Sequence, residues 1–162
     1  MEYALIFVII ILIIERLINK KDNKQEGSTT PNAINYSSLY SKKEYLLTQE
    51  ELKLYKLLKD ICRNNNLNLF CQVSLYELVK AKDYKDFNKI KAKTIDYVIT
   101  DTNCKIKICI ELDDPTHIKQ ERIERDKFIN TLFKELDIKL LRIPVQKWYD
   151  IKQLEEKIKE SL

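Results

Sequence analysis

Acidic residues and a histidine are concentrated where a strand-like segment of the sequence ends. The stretch KIKICIELDDPTHIKQERIERD, residues 105–126, alternates apolar and polar residues and then presents Glu111, Asp113 and His117, the only histidine of the chain. Carboxylate oxygens are the ligands that Mg²⁺ and Mn²⁺ prefer, and an imidazole exchanges protons near neutral pH. These residue types at this spacing favour metal-assisted proton-transfer chemistry.

A further acid lies inside the preceding strand-like segment, TIDYVIT at residues 94–100. Asp96 is the charged residue of that segment. A carboxylate within a strand is disfavoured and costs desolvation free energy unless a cation meets it. The D-T-N-C turn at 101–104 predicts that the two segments form a hairpin. If Asp96 and Glu111 face each other across it, their charges repel, and a divalent cation would relieve the repulsion.

Two arginines follow, on the same side of the next predicted helix as its apolar residues. At about 100° per residue, Arg122 and Arg125 fall on the apolar stripe, and Asp126 lies at its flank. The apolar members of the stripe are Ile129, Leu132, Phe133 and Leu136. Since arginines rarely enter a core unpaired, we expect their guanidinium groups to lie at the end of the sheet. Acids for a metal, guanidinium groups for a phosphate and an imidazole for a proton predict a phosphodiester-cleaving site.

Hydrophobic periodicity predicts the elements that must position these residues. A T-x-x-E start at Thr48 and Glu51 is a capping box that begins a helix. The order of helix, strand, hairpin, helix, strand and helix then predicts an α/β fold, a mixed sheet with helices on its faces. The predicted strands are 69–75, 94–100, 105–113 and 139–143, and the predicted helices are 48–63, 119–136 and 150–162. We expect one or two helical turns at 76–81 followed by a lysine-rich loop, and we expect Trp148 and Tyr149 to pack against the sheet.

The N-terminus predicts a membrane anchor. Residues 3–14 are unbroken apolar residues, and counting through Glu15 and Arg16, whose long side chains can snorkel, the segment extends to Ile18. That length approaches a transmembrane helix, and the lysines that follow leave the rest of the chain in the cytoplasm by the positive-inside rule. A buried helix of the domain itself is the alternative. The predicted organisation is an anchor over 1–18, a flexible polar linker over 19–45 and a globular domain over 46–162.

Composition argues against several other kinds of site. The chain has a single glycine, whereas glycine-rich phosphate loops and dinucleotide fingerprints need several, so we expect no small-molecule cofactor. The four cysteines form no C-x-x-C pair, which disfavours a zinc site and favours reduced thiols in a cytosolic protein. The formal net charge of +4 over 162 residues is compatible with a nucleic acid or an anionic surface as partner.

Together these residues resemble the PD-(D/E)XK, restriction-endonuclease-like superfamily, in the branch shared with very-short-patch-repair endonucleases. In particular, the chain resembles the bacterial domain-of-unknown-function family 2726, whose members often carry an N-terminal membrane segment. The resemblance is carried by E-x-x-L-Y at 51–55, Q-V at 72–73, Asp96, I-E-L-D at 110–113, His117, R-D at 125–126 and L-L-R-I-P at 140–144.

The resemblance implies an αβββαβ nuclease core that uses Mg²⁺ or Mn²⁺. It implies that Asp96 and Glu111 hold the metal, to which we add the backbone carbonyl of Leu112, and that Glu51 and Gln72 are auxiliary residues. The predicted catalytic residues are Asp96, Glu111, Asp113, His117 and Asp126, and the predicted phosphate-binding residues are Arg122, Arg125 and Lys93.

One position departs from the superfamily pattern. Asp113 stands where the superfamily's lysine usually stands. Relatives of the repair type use a histidine near that position, which His117 matches. Lys93 is the alternative, as a displaced lysine.

The sequence thus predicts a membrane-tethered, cytoplasmic hydrolase that cuts phosphodiester bonds in nucleic acid, with DNA favoured and RNA left open as the substrate. Two alternatives stay open. The same fold could bind nucleic acid without cutting it, or it could be an interaction domain whose acids serve only solubility. Metal binding separates the interaction domain from the other two, and hydrolysis separates the enzyme from the binding module.

Overall fold

The computed structural model describes Glu15 and residues 34–114 and 120–162. The chain divides into two compact units, Met1–Lys42 and Lys43–Leu162. In the described part of the first unit, a short helix, α1 (Tyr36–Leu39), lies within the segment predicted to be a flexible linker. The predicted anchor over residues 1–18 lies outside the described residues, apart from Glu15. Among the residues that are described, no helix has the length and apolar character needed to cross a membrane.

A four-stranded mixed sheet forms the centre of the second unit, as the periodicity predicts. Its strands are β1 (Asn68–Ser74), β2 (Thr94–Thr100), β3 (Ile106–Asp113) and β4 (Leu140–Pro144). They lie side by side in that order, with β1, β2 and β3 antiparallel and β4 parallel to β3. The start of β2 therefore shares one end of the sheet with the ends of β1, β3 and β4. Asp96, Glu111 and Asp113 all lie toward that end.

Helices cover both faces of this sheet, which confirms the predicted α/β class. The helices of the second unit are α2 (Gln49–Asn64), α3 (Leu75–Leu78), α4 (Tyr84–Ile90), α5 (Gln120–Glu135) and α6 (Ile151–Ser161). Helices α2 and α6 pack on one face, around Tyr97 and Ile110, and α3, α4 and α5 pack on the other, around Val98 and Cys109. Each face thus buries its own apolar cluster, and the sheet is apolar on both sides.

The predicted capping box at the start of α2 is confirmed. The Thr48 hydroxyl accepts a hydrogen bond from the backbone N–H of Glu51 at 3.3 Å, and a carboxylate oxygen of Glu51 accepts one from the backbone N–H of Thr48 at 2.6 Å. Two of the N–H groups that a helix start leaves unpaired are satisfied in this way. The box also fixes where the Glu51 side chain lies.

The prediction of a lysine-rich loop after residue 81 is wrong, because α4 forms there. The Asp83 carboxylate accepts a hydrogen bond from the backbone N–H of Asp86 at 2.8 Å, which starts the helix. At its other end Ile90 is only 4% exposed. A helix this short depends on such docking rather than on intrinsic propensity. Its few apolar residues are spread among lysines, so the sequence pattern did not reveal it.

Two positions predicted to be buried are exposed. Leu136 is 48% exposed because α5 ends at Glu135 and the residue falls beyond the buried stripe. Trp148 is 81% exposed, whereas Tyr149 packs against the core as predicted. Both aromatic residues lie in the connection between β4 and α6, and only Tyr149 packs against the core there.

Candidate active site

A cleft of about 480 Å³ opens where β2 begins and β3 ends. Its walls come from the first turn of α2, the two strand ends, α5 and the residue after β4. The lining residues are Glu50, Glu51, Asp96, Glu111, Leu112, Asp114, Arg125 and Val145. Five of these are acids and one is an arginine, so the cleft attracts cations. Of the residues predicted for the site, the structure brings Asp96, Glu111, Leu112, Arg125 and Glu51 together here.

Asp96 lies in the cleft beside the end of β3. Extending the register Tyr97↔Ile110 by one residue puts Asp96 opposite Glu111, and the register shift between Ile99 and Thr100 is part of this alignment. The Asp96 carboxylate accepts a hydrogen bond from the backbone N–H of Leu112 at 2.8 Å, beyond the last paired residues of the hairpin. In a regular strand, Ile95 and Val98 would lie on opposite faces of the sheet. Here both pack on the α5 face, so the alternation of β2 is interrupted near Asp96. This irregularity sets Asp96 apart from the regular part of the strand.

Glu111 is a buried carboxyl group, 3% exposed. Burial disfavours its charged form and raises its pKa from 4.5 to about 7. The Arg125 guanidinium opposes that rise in pKa, and the negative charge of Asp96 adds to it. A carboxyl group poised near neutral pH at the wall of a cleft is the usual mark of a functional site.

Arg125 reaches from α5 to the end of the sheet, where the helical spacing predicts it. Its Nη2 lies 3.2 Å and 3.5 Å from the two carboxylate oxygens of Glu111 and donates to the backbone carbonyl of Thr94 at 2.9 Å. The ion pair explains how an arginine on the inward side of a helix avoids being buried without a partner. It also means that a cation already balances Glu111.

Asp113 and Asp126, both predicted as catalytic acids, lie in a second charged cluster with Arg142. Arg142 donates to an Asp113 carboxylate oxygen at 2.7 Å and to the Asn130 side-chain oxygen at 3.2 Å, and its Nη2 lies 3.4 Å from Asp126. Asp126 is also 3.5 Å from Arg125, which links the two clusters. Neither Asp113 nor Asp126 is among the residues that line the cleft.

Arg142 was missed as a candidate, although the sequence carries a signal for it. It is the charged residue of the strand LLRIP, in which the other residues are apolar. The same reasoning that singled out Asp96 within TIDYVIT applies, since a charge inside a short apolar strand needs a partner. Its partners come from β3 and α5, so neighbouring sequence does not identify them.

Glu51 and Gln72 are joined at the edge of the cleft. The Gln72 side-chain amide donates to one Glu51 carboxylate oxygen at 3.0 Å, while the other oxygen closes the capping box. Gln72 lies within β1 at φ 53°, in the left-handed region that costs a non-glycine residue free energy. Strain of this kind persists where the surroundings impose it, and it clusters near functional sites.

Of three other predicted residues, the structure describes the side chain of Lys93 only. The Lys93 ammonium group donates to the backbone carbonyl of Lys89 at 2.5 Å and lies 5.4 Å from the centre of the Phe128 ring. Lys93 is not among the cleft-lining residues. His117 and the side chain of Arg122 lie outside what the structure describes. Their predicted roles stay predictions.

Comparison with known proteins gives one match. A family model described as "Protein of unknown function (DUF2726)" matches residues 43–162, the whole of the second unit with its sheet, helices and cleft. Neither the curated proteins nor the solved structures contain a match to the chain.

Proposed function

Because this chain belongs to DUF2726, a family of unknown function, we propose its function from the cleft: hydrolysis of phosphodiester bonds in nucleic acid, DNA in particular, with Mg²⁺ or Mn²⁺, on a restriction-endonuclease-like core. One observation carries the proposal. Asp96 and Glu111 come from adjacent strands to one cleft, and Glu111 is almost fully buried beside an arginine. Burying a carboxyl group there costs stability, which is the usual sign of a functional constraint.

The residues present fit a magnesium-type ion. Among the described residues no three His, Cys, Asp or Glu side chains gather closely enough to hold a metal by themselves. Mg²⁺ does not need such a group, since it keeps several water ligands and is held by one or two carboxylates. Asp96, Glu111 and the backbone carbonyl of Leu112 would hold it. When bound, such an ion lowers the pKa of a coordinated water and neutralises a phosphate.

The protein's own residues supply orientation and charge. The Leu112 N–H holds the Asp96 carboxylate in a fixed direction, and the Thr94 carbonyl holds the guanidinium of Arg125 at the cleft wall. A guanidinium group has five N–H donors, so Arg125 has capacity to bind a phosphate oxygen while staying anchored to Thr94. His117, in the connection between β3 and α5, is the group that we propose moves a proton.

A second function, binding nucleic acid without cutting it, is favoured by the ion pair itself. Arg125 already balances Glu111 at 3.2 Å, so the carboxyl group is satisfied without a metal ion. In that case the cleft keeps the acids of an active site without requiring a metal ion, and the domain is a binding or interaction module. Hydrolysis distinguishes the enzyme from the binding module, and metal binding distinguishes both from an interaction domain.

Thermal unfolding with Mn²⁺ tests the proposal. A ligand that binds only the folded state raises the melting temperature by mass action, so Mn²⁺ should stabilise the wild type and do so far less for Asp96→Asn or Glu111→Gln. Asp60→Asn and Glu160→Gln, at exposed positions on α2 and α6, are matched controls that should keep the wild-type response. Equal Mn²⁺ shifts in all five proteins would reject the metal site. Incubation of wild type with single-stranded DNA, duplex DNA and RNA, with Mg²⁺ or chelator, then identifies the substrate.

We propose also that residues 1–18 anchor the chain in the membrane with the second unit in the cytoplasm. The support is the apolar run and the lysines that follow it. Deletion of residues 1–18 should move the protein to the soluble fraction. Unchanged sedimentation with membranes at high salt would contradict the anchor.

A further inference from the structure

The connection between β1 and β2 carries three exposed aromatic rings, of which the middle one contacts the other two. Tyr76 and Phe87 have ring centroids 6.0 Å apart, and Tyr84 stacks on Phe87 at 6.4 Å with 29° between the ring planes. The three residues are 46%, 37% and 75% exposed, in the order Tyr76, Phe87, Tyr84. We call this group the aromatic platform. Large apolar rings that cluster on the outside of a domain commonly mark a binding surface.

The platform is fixed to the core from beneath. Leu75, at the start of α3, is fully buried, and Ile90, at the end of α4, is 4% exposed. Both belong to the apolar cluster under α5. The backbone N–H of Leu75 also donates to the carbonyl of Lys93 at 2.8 Å, which closes the connection at its base. The rings are therefore presented by an anchored element, and little conformational entropy is lost when a ligand binds them.

The charge around the platform is positive. Residues 76–93 contain six lysines and three acids, a net charge of +3 out of the chain's formal +4. Two of the acids are engaged locally, Asp83 as the cap of α4 and Asp86 in an ion pair with Lys89 at 2.7 Å. Among the described residues, Lys82 and Lys85 have no ion-pair partner within 4 Å.

The connection that carries the platform begins and ends at the end of the sheet where the cleft lies. The connection leaves β1 at Ser74 and enters β2 at Thr94, two residues before Asp96. Thr94 itself holds Arg125 through its carbonyl. The two ends of the connection and the cleft therefore meet at Thr94.

We propose that the aromatic platform binds single-stranded nucleic acid, with unpaired bases stacked on Tyr84 and Tyr76 and phosphates held by the surrounding lysines. Flat rings combined with lysines match the two parts of a nucleotide chain, since each base offers a π-face and each phosphate a charge. Bases inside a duplex are already stacked on each other, so the rings select unpaired strands. This inference rests on the proposed function, because it names the form of nucleic acid that the same cleft receives.

An anionic membrane surface would also attract lysines and aromatic rings, but the structure favours nucleic acid. Helix α4 has seven residues, and two acids, Asp83 and Asp86, lie at its start. An interfacial helix instead presents one long apolar face opposite a basic one. Here only three rings are exposed, with Tyr84 stacked on Phe87 and Tyr76 tilted against it at 51°, and they do not form a long apolar face.

Fluorescence anisotropy with the full-length chain in mild detergent tests the platform. The probe is a labelled 15-nucleotide oligo-dT, measured in EDTA so that no cleavage occurs. Tyr76→Ala combined with Tyr84→Ala should weaken binding by roughly 5- to 150-fold, the worth of a stacked base. The double Phe variant at the same positions should bind like wild type, because it keeps the rings. Tyr36→Ala with Tyr40→Ala removes another stacked pair, 6.4 Å apart in the first unit, and should leave binding unchanged.

Salt dependence tests the lysines. The double variant Lys82→Gln, Lys85→Gln should reduce the magnitude of the slope of log affinity against log salt concentration by about 1.4, because two phosphate contacts are lost. The control is the double variant Lys56→Gln, Lys59→Gln, at exposed positions on α2, which should keep the wild-type slope. Equal affinities for wild type and the double Ala variant would overturn the proposal. So would equal binding of a 15-base-pair duplex, or displacement of the probe by short-chain phosphatidylserine as effective as by unlabelled oligonucleotide.

The outcome separates this inference from the proposed function. If the platform variants lose oligonucleotide binding but the wild type never cuts DNA with Mn²⁺, the platform stands and the hydrolase is rejected. If wild type and platform variants cut single-stranded DNA equally well, the hydrolase stands and the platform is rejected.

Discussion

The two ends of the β2–β3 hairpin each hold an acid, and the pKa values of the two acids are shifted in opposite directions. At the turn, the Asp101 carboxylate accepts hydrogen bonds from the backbone N–H groups of Lys105 and Asn103, each at 3.0 Å. These bonds favour the charged form and hold the pKa of Asp101 below its usual value. At the other end Glu111 is buried beside Arg125, and its pKa rises to about 7.

The difference shows which acid serves the fold and which costs it stability. Asp101 is satisfied by residues within four positions of itself, as turn chemistry requires. The hydrogen-bonding partner of Glu111 is Arg125, fourteen residues later in the sequence on α5. Burial raises the pKa of Glu111 in spite of this positive charge. Buried carboxyl groups with a raised pKa cluster at functional sites, which supports the proposed role of Glu111. Six substitutions, in three pairs that compare the turn with the cleft, test this difference.

The largest difference should appear in catalysis. Glu111→Gln should lower the rate of DNA cleavage by about 10³-fold or more, because metal-assisted charge stabilisation contributes several kcal/mol to the barrier. Asp101→Asn should leave the rate near wild type, since the turn holds no group of the cleft. A gel assay with Mn²⁺ measures both variants. A Glu111→Gln protein that cuts at the wild-type rate would remove the functional distinction between the two ends.

The second difference is in pH dependence. Because the folded-state pKa of Glu111 is raised, the folded state holds one proton more than the unfolded state between pH 4.5 and about 7. Stability should therefore fall as pH rises across that window, by about 3 kcal/mol in total. The lowered pKa of Asp101 has the opposite sign, so its contribution is present above its ordinary pKa and is lost as pH falls.

Urea unfolding from pH 4 to 8 measures this dependence. Glu111→Gln should flatten the decline between pH 4.5 and 7, and Asp101→Asn should leave that decline in place. A wild-type profile that shows no decline over the window would mean that Glu111 keeps an ordinary pKa in the folded state.

The third difference concerns the cations at each end. Arg125→Gln should destabilise the protein at pH 8 by about 1–3 kcal/mol, because it leaves a buried carboxylate without its partner. Lys107→Gln removes a partly exposed contact with Asp101 at 3.5 Å and should cost less than about 1 kcal/mol. Chemical denaturation of both variants compares them. Similar losses at the two ends would indicate that the Arg125 ion pair is no stronger than a surface one.

The smallest difference is in backbone strain. Cys104 in the turn has φ 61° and Gln72 beside the cleft has φ 53°. Cys104→Gly should stabilise the protein by about 1 kcal/mol, since glycine adopts this conformation without strain. Gln72→Gly relieves the same strain but loses the hydrogen bond to Glu51 and places glycine in a strand, so it should not stabilise. Melting temperatures decide this, and a clear gain for Gln72→Gly would mean that the bond to Glu51 contributes little.

The sequence by itself determined the elements with strong local signals. The alternation in 94–100 and 105–113 predicted the hairpin, and Thr48 with Glu51 predicted the capping box that begins α2. These features depend on contacts between residues close in the chain, whose spacing is visible in the letters. The placement of Asp96 opposite Glu111 does not follow from the turn alone, because the register shifts between Ile99 and Thr100.

Only the tertiary structure decided which charges meet. The sequence grouped Asp113, Asp126 and Glu111 into one site, yet Arg142 binds the first, lies 3.4 Å from the second, and leaves Glu111 to Arg125 in the cleft. The Arg142 side chain joins β4 to β3 and α5, a pairing that depends on the parallel packing of β4 beside β3. Helix α4 likewise forms because Ile90 finds a core built from distant strands. Ion pairing and burial depend on distances in space, which a local pattern does not contain.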